Sequence, residues 1–290
     1  MNALIFGAGG QDGHYLAAAC RRQGISPIAV TRTTGDVVCN VGDAASVMSL
    51  IRRHQPTYVF HIAARSSTQH EALFEHHATI AGGTLNILEA VRAHSPQSRV
   101  FITGSGVQFA NNGSPISERT PFAATSPYAI ARIKSAYAAR YFRDLGVRTC
   151  VGYLFHHESP HRGPNHVSKM IVLAARRIAA GSTENLTIGD TNVEKEWTFA
   201  GDVADAILML VRQEDVAEAV IGSGKSYSIA QWLDACFRHA GLNWKDHVRA
   251  REGFTPEYTR LVSDPRTINR LGWHPAVDFA ALAAMMMREP

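Results

Sequence analysis

The stretch that decides the fold lies at the start of the chain, where residues 3–13 read ALIFGAGGQDG. Residues 3–6 are apolar and predict a buried strand, and three spaced glycines follow at once. Gly7 permits a tight turn, Gly10 lets backbone N–H groups approach a pyrophosphate, and Gly13 lets a following helix pack against the strand. Because the glycines stand between a predicted strand and a predicted helix, the pattern indicates a dinucleotide-binding turn.

Strand-like and helical segments alternate through the first half of the chain. Strands are predicted at 3–6, 27–31, 58–62, 99–103 and 147–154, with helices at 15–23, 44–54, 73–91 and 125–145. This alternation predicts an α/β fold, a doubly wound parallel sheet with crossover helices. After Phe155 strand-like and helical segments no longer alternate regularly, which indicates a smaller α/β cap. We expect residues 1–155 to form the cofactor-binding domain, with 196–225 returning to it, and 156–195 and 226–290 to form the cap.

Composition excludes several classes of protein. The 290 residues are 46% apolar and 19% charged, which is unlike a disordered chain, and no apolar run approaches a membrane span. The net charge of +4 is scattered, so we expect no nucleic-acid partner. The four cysteines are far apart, which predicts neither a disulfide framework nor a metal site and fits a reducing cytoplasm. The N-terminus lacks the basic region of a signal peptide.

The end of the second predicted strand bears on the choice of cofactor. Residues 30–34 read VTRTT, and no carboxylate appears until Asp36. An acidic residue there would accept the ribose hydroxyls of NAD, whereas Arg32 and the hydroxyls suit a 2′-phosphate. The pattern therefore favours NADP(H), with NAD(H) possible if Arg32 is only a surface residue. After the third strand, Ala63 and Ala64 offer small side chains where a dinucleotide would pass.

Three residues form a candidate catalytic set. Ser105 follows the fourth predicted strand in TGSGV, and Tyr128 opens a helix in SPYAIAR. Open α/β sheets bind ligands at the carboxyl ends of their strands, where both residues are expected. Arg132 lies one helical turn after Tyr128 and would favour its phenolate form.

Several motifs resemble those of extended short-chain dehydrogenases/reductases, in the group that holds GDP-mannose 4,6-dehydratases and GDP-4-keto-6-deoxy-mannose reductases. They are GQDG at 10–13, GTLNILEA at 83–90, LFHHESPHRG at 154–163, GLNW at 241–244 and LGWHP at 271–275. The third is similar to the dehydratases' L-F-N-H-E-S-P-x-R-G, with His156 in place of asparagine. The resemblance implies a Rossmann domain, a nucleotide-sugar-binding cap and a homodimer formed through helices 73–91 and 125–145.

The resemblance also implies site residues. The catalytic residues are Ser105, Tyr128 and Arg132, with arginine in place of the family's lysine. The cofactor-binding residues are Gly7, Gly10, Gln11, Asp12, Gly13, Arg32, Asn40, Val41, Ala63, Ala64, Tyr128, Arg132 and Phe155. The substrate-binding residues are Ser105, His156, Arg162, Asn165, Lys169 and Lys195.

Val107 bears on the type of reaction. The resembling dehydratases carry at this position a glutamate that moves a proton during water elimination, and valine can neither give nor take one. We therefore expect NADP(H)-dependent reduction of a 4-keto group on a nucleotide-activated, GDP-linked deoxysugar. The alternatives are a nucleotide-sugar 4,6-dehydratase or epimerase with relocated acid/base groups, or a catalytically weak NADP-binding regulator.

Overall fold

A seven-stranded parallel sheet forms the centre of the molecule. The computed structural model describes residues 1–288. Its strands are β1 (Asn2–Phe6), β2 (Ser26–Thr31), β3 (Val37–Val38), β4 (Tyr58–His61), β5 (Arg99–Ser105), β6 (Arg148–Leu154), β7 (His157–Glu158), β8 (Leu186–Ile188), β9 (Glu194–Glu196), β10 (Thr198–Phe199), β11 (Glu218–Ile221), β12 (Ser226–Ser228), β13 (Val248–Ala250) and β14 (Arg260–Leu261). The central order is β11-β6-β5-β4-β1-β2-β3, and every neighbouring pair is parallel.

Helices cover both faces of this sheet. The α-helices of the described residues are α1 (Gln11–Arg22), α2 (Ala44–His54), α3 (Leu73–His76), α4 (Gly83–His94), α5 (Pro127–Asp144), α6 (Val167–Ala179), α7 (Ala200–Val211), α8 (Ile229–His239), α9 (Arg266–Arg270) and α10 (Phe279–Arg288). Apolar side chains of α2, α4 and α5 form one core with the sheet, and those of α1 and α7 form a second core on the other face. The predicted doubly wound α/β fold is confirmed.

The helical segment predicted at 73–91 is divided in the structure. A π-helical stretch, His77–Gly82, separates α3 from α4. The carbonyl oxygen of Ile80 accepts hydrogen bonds from the hydroxyls of Thr84, at 2.7 Å, and Ser135, at 3.2 Å. Side-chain donors thus satisfy a carbonyl whose helical ladder is widened. Periodicity alone does not reveal such a stretch, because the residues on both sides keep a helical pattern.

The second half of the chain divides between the sheet and a separate core. The strand β11 pairs with β6, and α7 packs against α1, so residues 200–221 extend the central sheet and its cover. Helices α6, α8 and α10 enclose a third apolar core, in which the indole rings of Trp197 and Trp232 stack at 4.3 Å. Among the described residues 1–288, no helix is both long and apolar enough to cross a membrane.

Candidate active site

The glycine loop between β1 and α1 requires glycine at two of the three expected positions, Gly7 and Gly13, whereas a Cβ atom at Gly10 would make only an ordinary contact. Gly7 has a φ of +98°, and a Cβ atom there would lie 2.7 Å from the Cα atom of Ala63. A Cβ atom at Gly13 would collide with the backbone of Ala8, so the close packing of α1 also depends on glycine. Gly10 is the N-cap of α1, and no side chain of residues 1–288 caps this helix. Its first N–H groups are therefore free to bind an anionic ligand such as a pyrophosphate.

A cleft of about 890 Å³ extends from the glycine loop over the carboxyl ends of the central strands. Most of the residues predicted from the sequence line it, namely Gly7, Gly10, Gln11, Asp12, Gly13, Arg32, Val41, Ala63, Ala64, Ser105, Tyr128, Arg132, Phe155, His156 and Arg162. A dinucleotide that follows the glycine loop would therefore reach the predicted catalytic residues within the same cleft. The small side chains and free helix N–H groups of this wall fit such a cofactor.

Two local structures position the candidate catalytic hydroxyls. Ser105 ends β5 and caps the 3-10 turn Gly106–Gln108, where its backbone N–H donates to the Gln108 side-chain carbonyl oxygen at 2.8 Å. Tyr128 lies in the first turn of α5, which begins at Pro127. The hydroxyl of Ser126 caps this helix by accepting from the Ala129 N–H at 3.1 Å. The side chains of Ser105 and Tyr128 are therefore positioned by the end of β5 and the start of α5, and both line the cleft.

Arg132 is a buried cation beside Tyr128. Its side chain is only 3% exposed, and its guanidinium carbon lies 5.0 Å from the centroid of the Tyr128 ring. The guanidinium donates to the carbonyl oxygen of Thr103 at 2.6 Å, while Nε is buried without a hydrogen-bond partner among the described residues. Arginine keeps its charge at all physiological pH values, so Arg132 supplies a permanent positive field at Tyr128 but no proton relay.

Sequence reasoning missed His76, which contacts Tyr128 from α3. Its ring is fully buried, and its centroid lies 5.4 Å from that of Tyr128 in an edge-on arrangement. The Nε2 atom lies 2.7 Å from the carbonyl oxygen of Ser67, which fixes the orientation of the imidazole. A single histidine in a helical pattern carries no functional signal, and only the packing of α3 against α5 reveals this contact.

An ion pair joins the glycine loop to the segment that follows β6. The Nε2 atom of His157 lies 2.8 Å from Oδ1 of Asp12. Burial disfavours the imidazolium, but the Asp12 carboxylate outweighs burial and raises the pKa of His157. Burial would likewise raise the pKa of Asp12, but the charge of His157 holds it well below its usual range. The pair therefore fixes the start of α1 against β7, where the cleft wall is formed.

Glu158 is the centre of a buried charge network in the same wall. Its carboxylate is fully buried and accepts from Nε of Arg162 at 2.8 Å. Burial alone would raise the pKa of Glu158, but the Arg162 guanidinium holds it well below the usual range. The other carboxylate oxygen lies 2.8 Å from Nε2 of His156, whose Nδ1 lies 2.6 Å from the carbonyl oxygen of Glu196. Both ring nitrogens of His156 therefore face protein oxygens, although the ring lines the cleft.

Four predicted binding residues lie outside the lining of the cleft. Asn40 accepts a hydrogen bond from the Gly42 N–H at 3.1 Å and shapes the turn after β3. Lys169 is buried and donates to the carbonyl oxygen of Pro160 at 2.9 Å. Lys195 is buried on β9, with its ammonium 5.1 Å from the centroid of a Trp197 ring. Asn165 is exposed in the loop before α6. The side chains of Asn40, Lys169 and Lys195 thus contact other parts of the protein in this structure.

We expect Lys195→Met to stabilise the protein at neutral pH. Burial lowers the pKa of Lys195 to about 8, so the folded state disfavours the charged form that the unfolded state carries. The native protein gains stability as pH rises from about 8 towards the ordinary lysine value near 10.5, because the unfolded chain then binds the extra proton. The variant should raise the free energy of unfolding by about 1–3 kcal/mol near pH 7. Urea unfolding measures this, and the gain should shrink by about pH 9.5.

The exposed Lys225, four residues beyond β11, is the matched control. Lys225→Met should leave the free energy of unfolding nearly unchanged at both pH values. If Lys195→Met instead destabilises the protein at neutral pH, the buried charge is stabilising where it lies.

The fold and the cleft define the class of protein. A parallel sheet with a glycine loop after its first strand, and a Ser–Tyr pair at its carboxyl edge, make this chain an extended short-chain dehydrogenase/reductase. Solved structures share the whole fold. A dTDP-glucose 4,6-dehydratase from Bacillus anthracis in complex with NAD matches with a TM-score of 0.87 at 17% identity, covering 99% of this chain and 96% of that chain. RMD from Pseudomonas aeruginosa complexed with NADPH matches with a TM-score of 0.83 at 20% identity, covering 99% and 96%.

The chain belongs to the GDP-mannose 4,6-dehydratase family. The family model described as GDP-mannose 4,6 dehydratase matches residues 4–286. GDP-mannose 4,6 dehydratase 1 of Arabidopsis thaliana is 31% identical over 99% of this chain and 89% of its own length. The predicted family, and with it an NAD(P)-dependent class of nucleotide-sugar enzyme, is confirmed. The comparisons favour the dehydratase alternative over ketone reduction, which was the first expectation from Val107.

Proposed function

We propose that this protein converts a GDP-linked hexose of the mannose type by dehydratase chemistry. The sugar is oxidised at C4, loses water across C5 and C6, and is reduced at C6, so the cofactor is regenerated in each turnover. The observation that carries this proposal is the match of residues 4–286 to the dehydratase family, in a chain whose Ser105 and Tyr128 line one cleft with the glycine loop.

Three residues of the cleft have separate roles in the proposed oxidation at C4. A bound nicotinamide ring supplies the hydride acceptor and donor. Tyr128 takes the proton of the C4 hydroxyl, and the Ser105 hydroxyl donates a hydrogen bond to the same oxygen. The bond to the carbonyl oxygen of Thr103 holds the Arg132 guanidinium in place against the Tyr128 ring. Because Arg132 cannot lose a proton, the phenol proton must pass to solvent or ligand by another route.

Water loss across C5 and C6 requires a further acid/base group. Val107 lines the cleft but packs against the apolar core and cannot transfer a proton. We assign this role to His166, which lines the cleft at the N-cap of α6. Burial, together with the charge of Arg162, lowers the pKa of His166, so its imidazole is neutral at pH 7 and can accept the C5 proton.

Replacing His166 with Gln should slow water loss about a hundredfold while leaving C4 oxidation in place. Stopped-flow absorbance should then show reduced cofactor accumulating on the enzyme after GDP-mannose is added. The matched control is His239→Gln, at an exposed position at the end of α8, which should react like the native protein. A His166→Gln variant that releases product at the native rate would assign the proton transfer to another group.

NADP(H) is the proposed cofactor. Arg32 lines the cleft just beyond β2, among the hydroxyls of Thr31 and Thr33. The first carboxylate after them, Asp36, accepts from the Ala29 N–H at 2.8 Å and therefore serves its own loop. Such a wall offers cations and hydroxyls to a 2′-phosphate. One of the two structural relatives binds NAD and the other binds NADPH, so they do not favour either cofactor. The proposal of NADP(H) therefore rests on Arg32 and the neighbouring threonine hydroxyls.

The remaining assignments concern the substrate and the assembly. Arg162 is the proposed partner of the diphosphate, because it lines the cleft and is held by Glu158.

The part of the chain at 156–195 and 226–290 is the proposed nucleotide-sugar cap. A homodimer through α4 and α5 is proposed because these helices expose Leu85, Tyr137 and Tyr141.

Product analysis tests the proposed function. Purified protein is incubated with GDP-mannose and NADP⁺ at much less than one equivalent. Dehydration predicts conversion of all the GDP-mannose to a product lighter by one water, with no net formation of NADPH. Failure to convert GDP-mannose, with dinucleotide binding intact, would reject the proposed reaction.

Reduction of a 4-keto sugar is the second candidate, and Val107 favours it. Hydride transfer to a ketone requires only the Ser105 and Tyr128 hydroxyls and the cofactor, so an apolar side chain at position 107 is no obstacle. This reaction would consume one NADPH for each molecule of GDP-4-keto-6-deoxy-mannose. The two candidates are thus separated by cofactor stoichiometry.

A further inference from the structure

A carboxylate lies between two guanidinium groups on the dinucleotide wall of the cleft. Arg32 follows β2, Arg65 follows β4, and Glu75 belongs to α3. One Glu75 oxygen lies 3.5 Å from Nη1 of Arg32, and the other lies 3.3 Å from Nη1 of Arg65. All three side chains line the cleft.

The strand order places this cluster at the proposed ribose end of the cofactor. In the central sheet β1 lies between β2 and β4, so the two arginine-bearing loops stand on either side of the glycine loop. In folds of this type the ribose next to the adenine is recognised just beyond β2. Arg32 and Arg65 therefore approach the position of a 2′-phosphate from two sides.

Chemistry makes Glu75 a substitute for that phosphate. Guanidinium groups bind carboxylates and phosphates with the same donor geometry, so the two anions compete for the same N–H groups. We propose that Glu75 is a cofactor-specificity residue, whose carboxylate occupies Arg32 and Arg65 in the free protein and opposes the binding of a 2′-phosphate. This inference rests on the proposed function, since it requires a nicotinamide dinucleotide in the cleft.

The opposition is moderate, because the cluster is open to water. The side chains of Arg32 and Arg65 are 66% and 58% exposed, and that of Glu75 is 31% exposed. One charge acting at about 5 Å on a phosphate dianion in a water-like dielectric changes a binding constant by about tenfold. Glu75 therefore reduces the ratio of NADPH affinity to NADH affinity. It does not reverse the preference for NADPH, because two arginines still outnumber one carboxylate.

The test is a fluorescence titration of the native protein, Glu75→Gln and Glu71→Gln with NADPH and with NADH. Glu75→Gln keeps the size of the side chain and removes its charge. We expect it to bind NADPH about tenfold more tightly, with NADH affinity changed by less than about twofold. High salt should reduce the gain for NADPH, since the groups are exposed. Glu71→Gln, at an exposed position just before α3, should match the native protein with both cofactors.

Each other outcome counts against a specific statement. Unchanged or weaker NADPH binding by Glu75→Gln, while the native protein binds NADPH, would overturn the role of Glu75 and leave the proposed function standing. An equal gain for NADPH and NADH would also overturn it, because the effect would not involve the 2′-phosphate. If the correctly folded native protein bound neither dinucleotide, both the inference and the proposed function would fail.

Discussion

Tyr128→Phe is expected to lower the turnover of GDP-mannose about a thousandfold. The phenyl ring preserves the packing against His76 and the contact with the Arg132 guanidinium, whose carbon lies 5.0 Å from the ring centroid. The lost hydroxyl is the group proposed to accept the C4 proton, so the chemical step is affected while the cleft keeps its shape. Turnover is measured by product formation, and dinucleotide affinity by fluorescence titration should change by only a few fold.

Tyr137 provides a matched control on the same helix. It lies nine positions further along α5 and outside the lining of the cleft, and the phenyl ring keeps the apolar surface of the proposed dimer interface, so Tyr137→Phe should retain full activity. A Tyr128→Phe variant with more than about a tenth of the native turnover would show that another group accepts the proton. Loss of dinucleotide binding in parallel with activity would instead indicate a damaged cleft.

Glu158→Ala is expected to lower the free energy of unfolding by about 3–5 kcal/mol. Glu158 is fully buried, and its removal leaves the Arg162 guanidinium, whose side chain is only 14% exposed, without its carboxylate. The variant should also lose the fixed orientation of Arg162 on the cleft wall, which raises the KM for the nucleotide sugar. Urea unfolding at neutral pH measures the first effect, and steady-state kinetics measure the second.

A double variant separates the unpaired charge from the lost packing. Glu158→Ala combined with Arg162→Met removes both charges, and about half of the lost stability should return. If the double variant is as unstable as the sum of the two single variants, the pair contributes no coupling energy. A single Glu158→Ala variant within about 1 kcal/mol of the native protein would show that the network is solvated in solution.

The sequence predicts the sheet and the candidate catalytic residues that line the cleft because both depend on local patterns. Strand and helix alternate with clear periodicity, and the glycines fall between β1 and α1. Ser105, Tyr128 and Arg132 are found because each stands at a fixed distance from the end of a strand or the start of a helix. Arg132 lies one helical turn beyond Tyr128, and that spacing alone brings the guanidinium to the phenol ring.

Other parts of the site depend on which loops converge, and no local pattern contains that information. Glu75 and Arg65 meet Arg32 only because α3 and the segments that follow β2 and β4 converge at one end of the cleft. His76 reaches Tyr128 only through the packing of α3 on α5. The sequence does not reveal the direction of a cationic side chain either, since Lys169 lies in an amphipathic helix and Lys195 in a charged stretch, yet both are buried.

Val107 shows a different limit of sequence reasoning. One missing acid/base group favoured ketone reduction, whereas similarity along residues 4–286 favours dehydration. Position 107 bears on only one proton transfer, and one of the histidines that line the cleft can carry out that transfer in its place. The type of reaction therefore has to be measured on the sugar itself.

The most direct measurement follows a deuterium atom placed at C4 of GDP-mannose. The labelled sugar is incubated with the native protein and a small amount of NADP⁺, and the product is analysed by mass spectrometry and NMR. Dehydratase chemistry within this cleft predicts a product that has lost one water and carries the deuterium at C6, because hydride leaves C4 and returns to the same molecule. Recovery of the labelled GDP-mannose unchanged would contradict that account. If the same protein also reduced GDP-4-keto-6-deoxy-mannose in a parallel reaction with NADPH, it would be identified as a reductase.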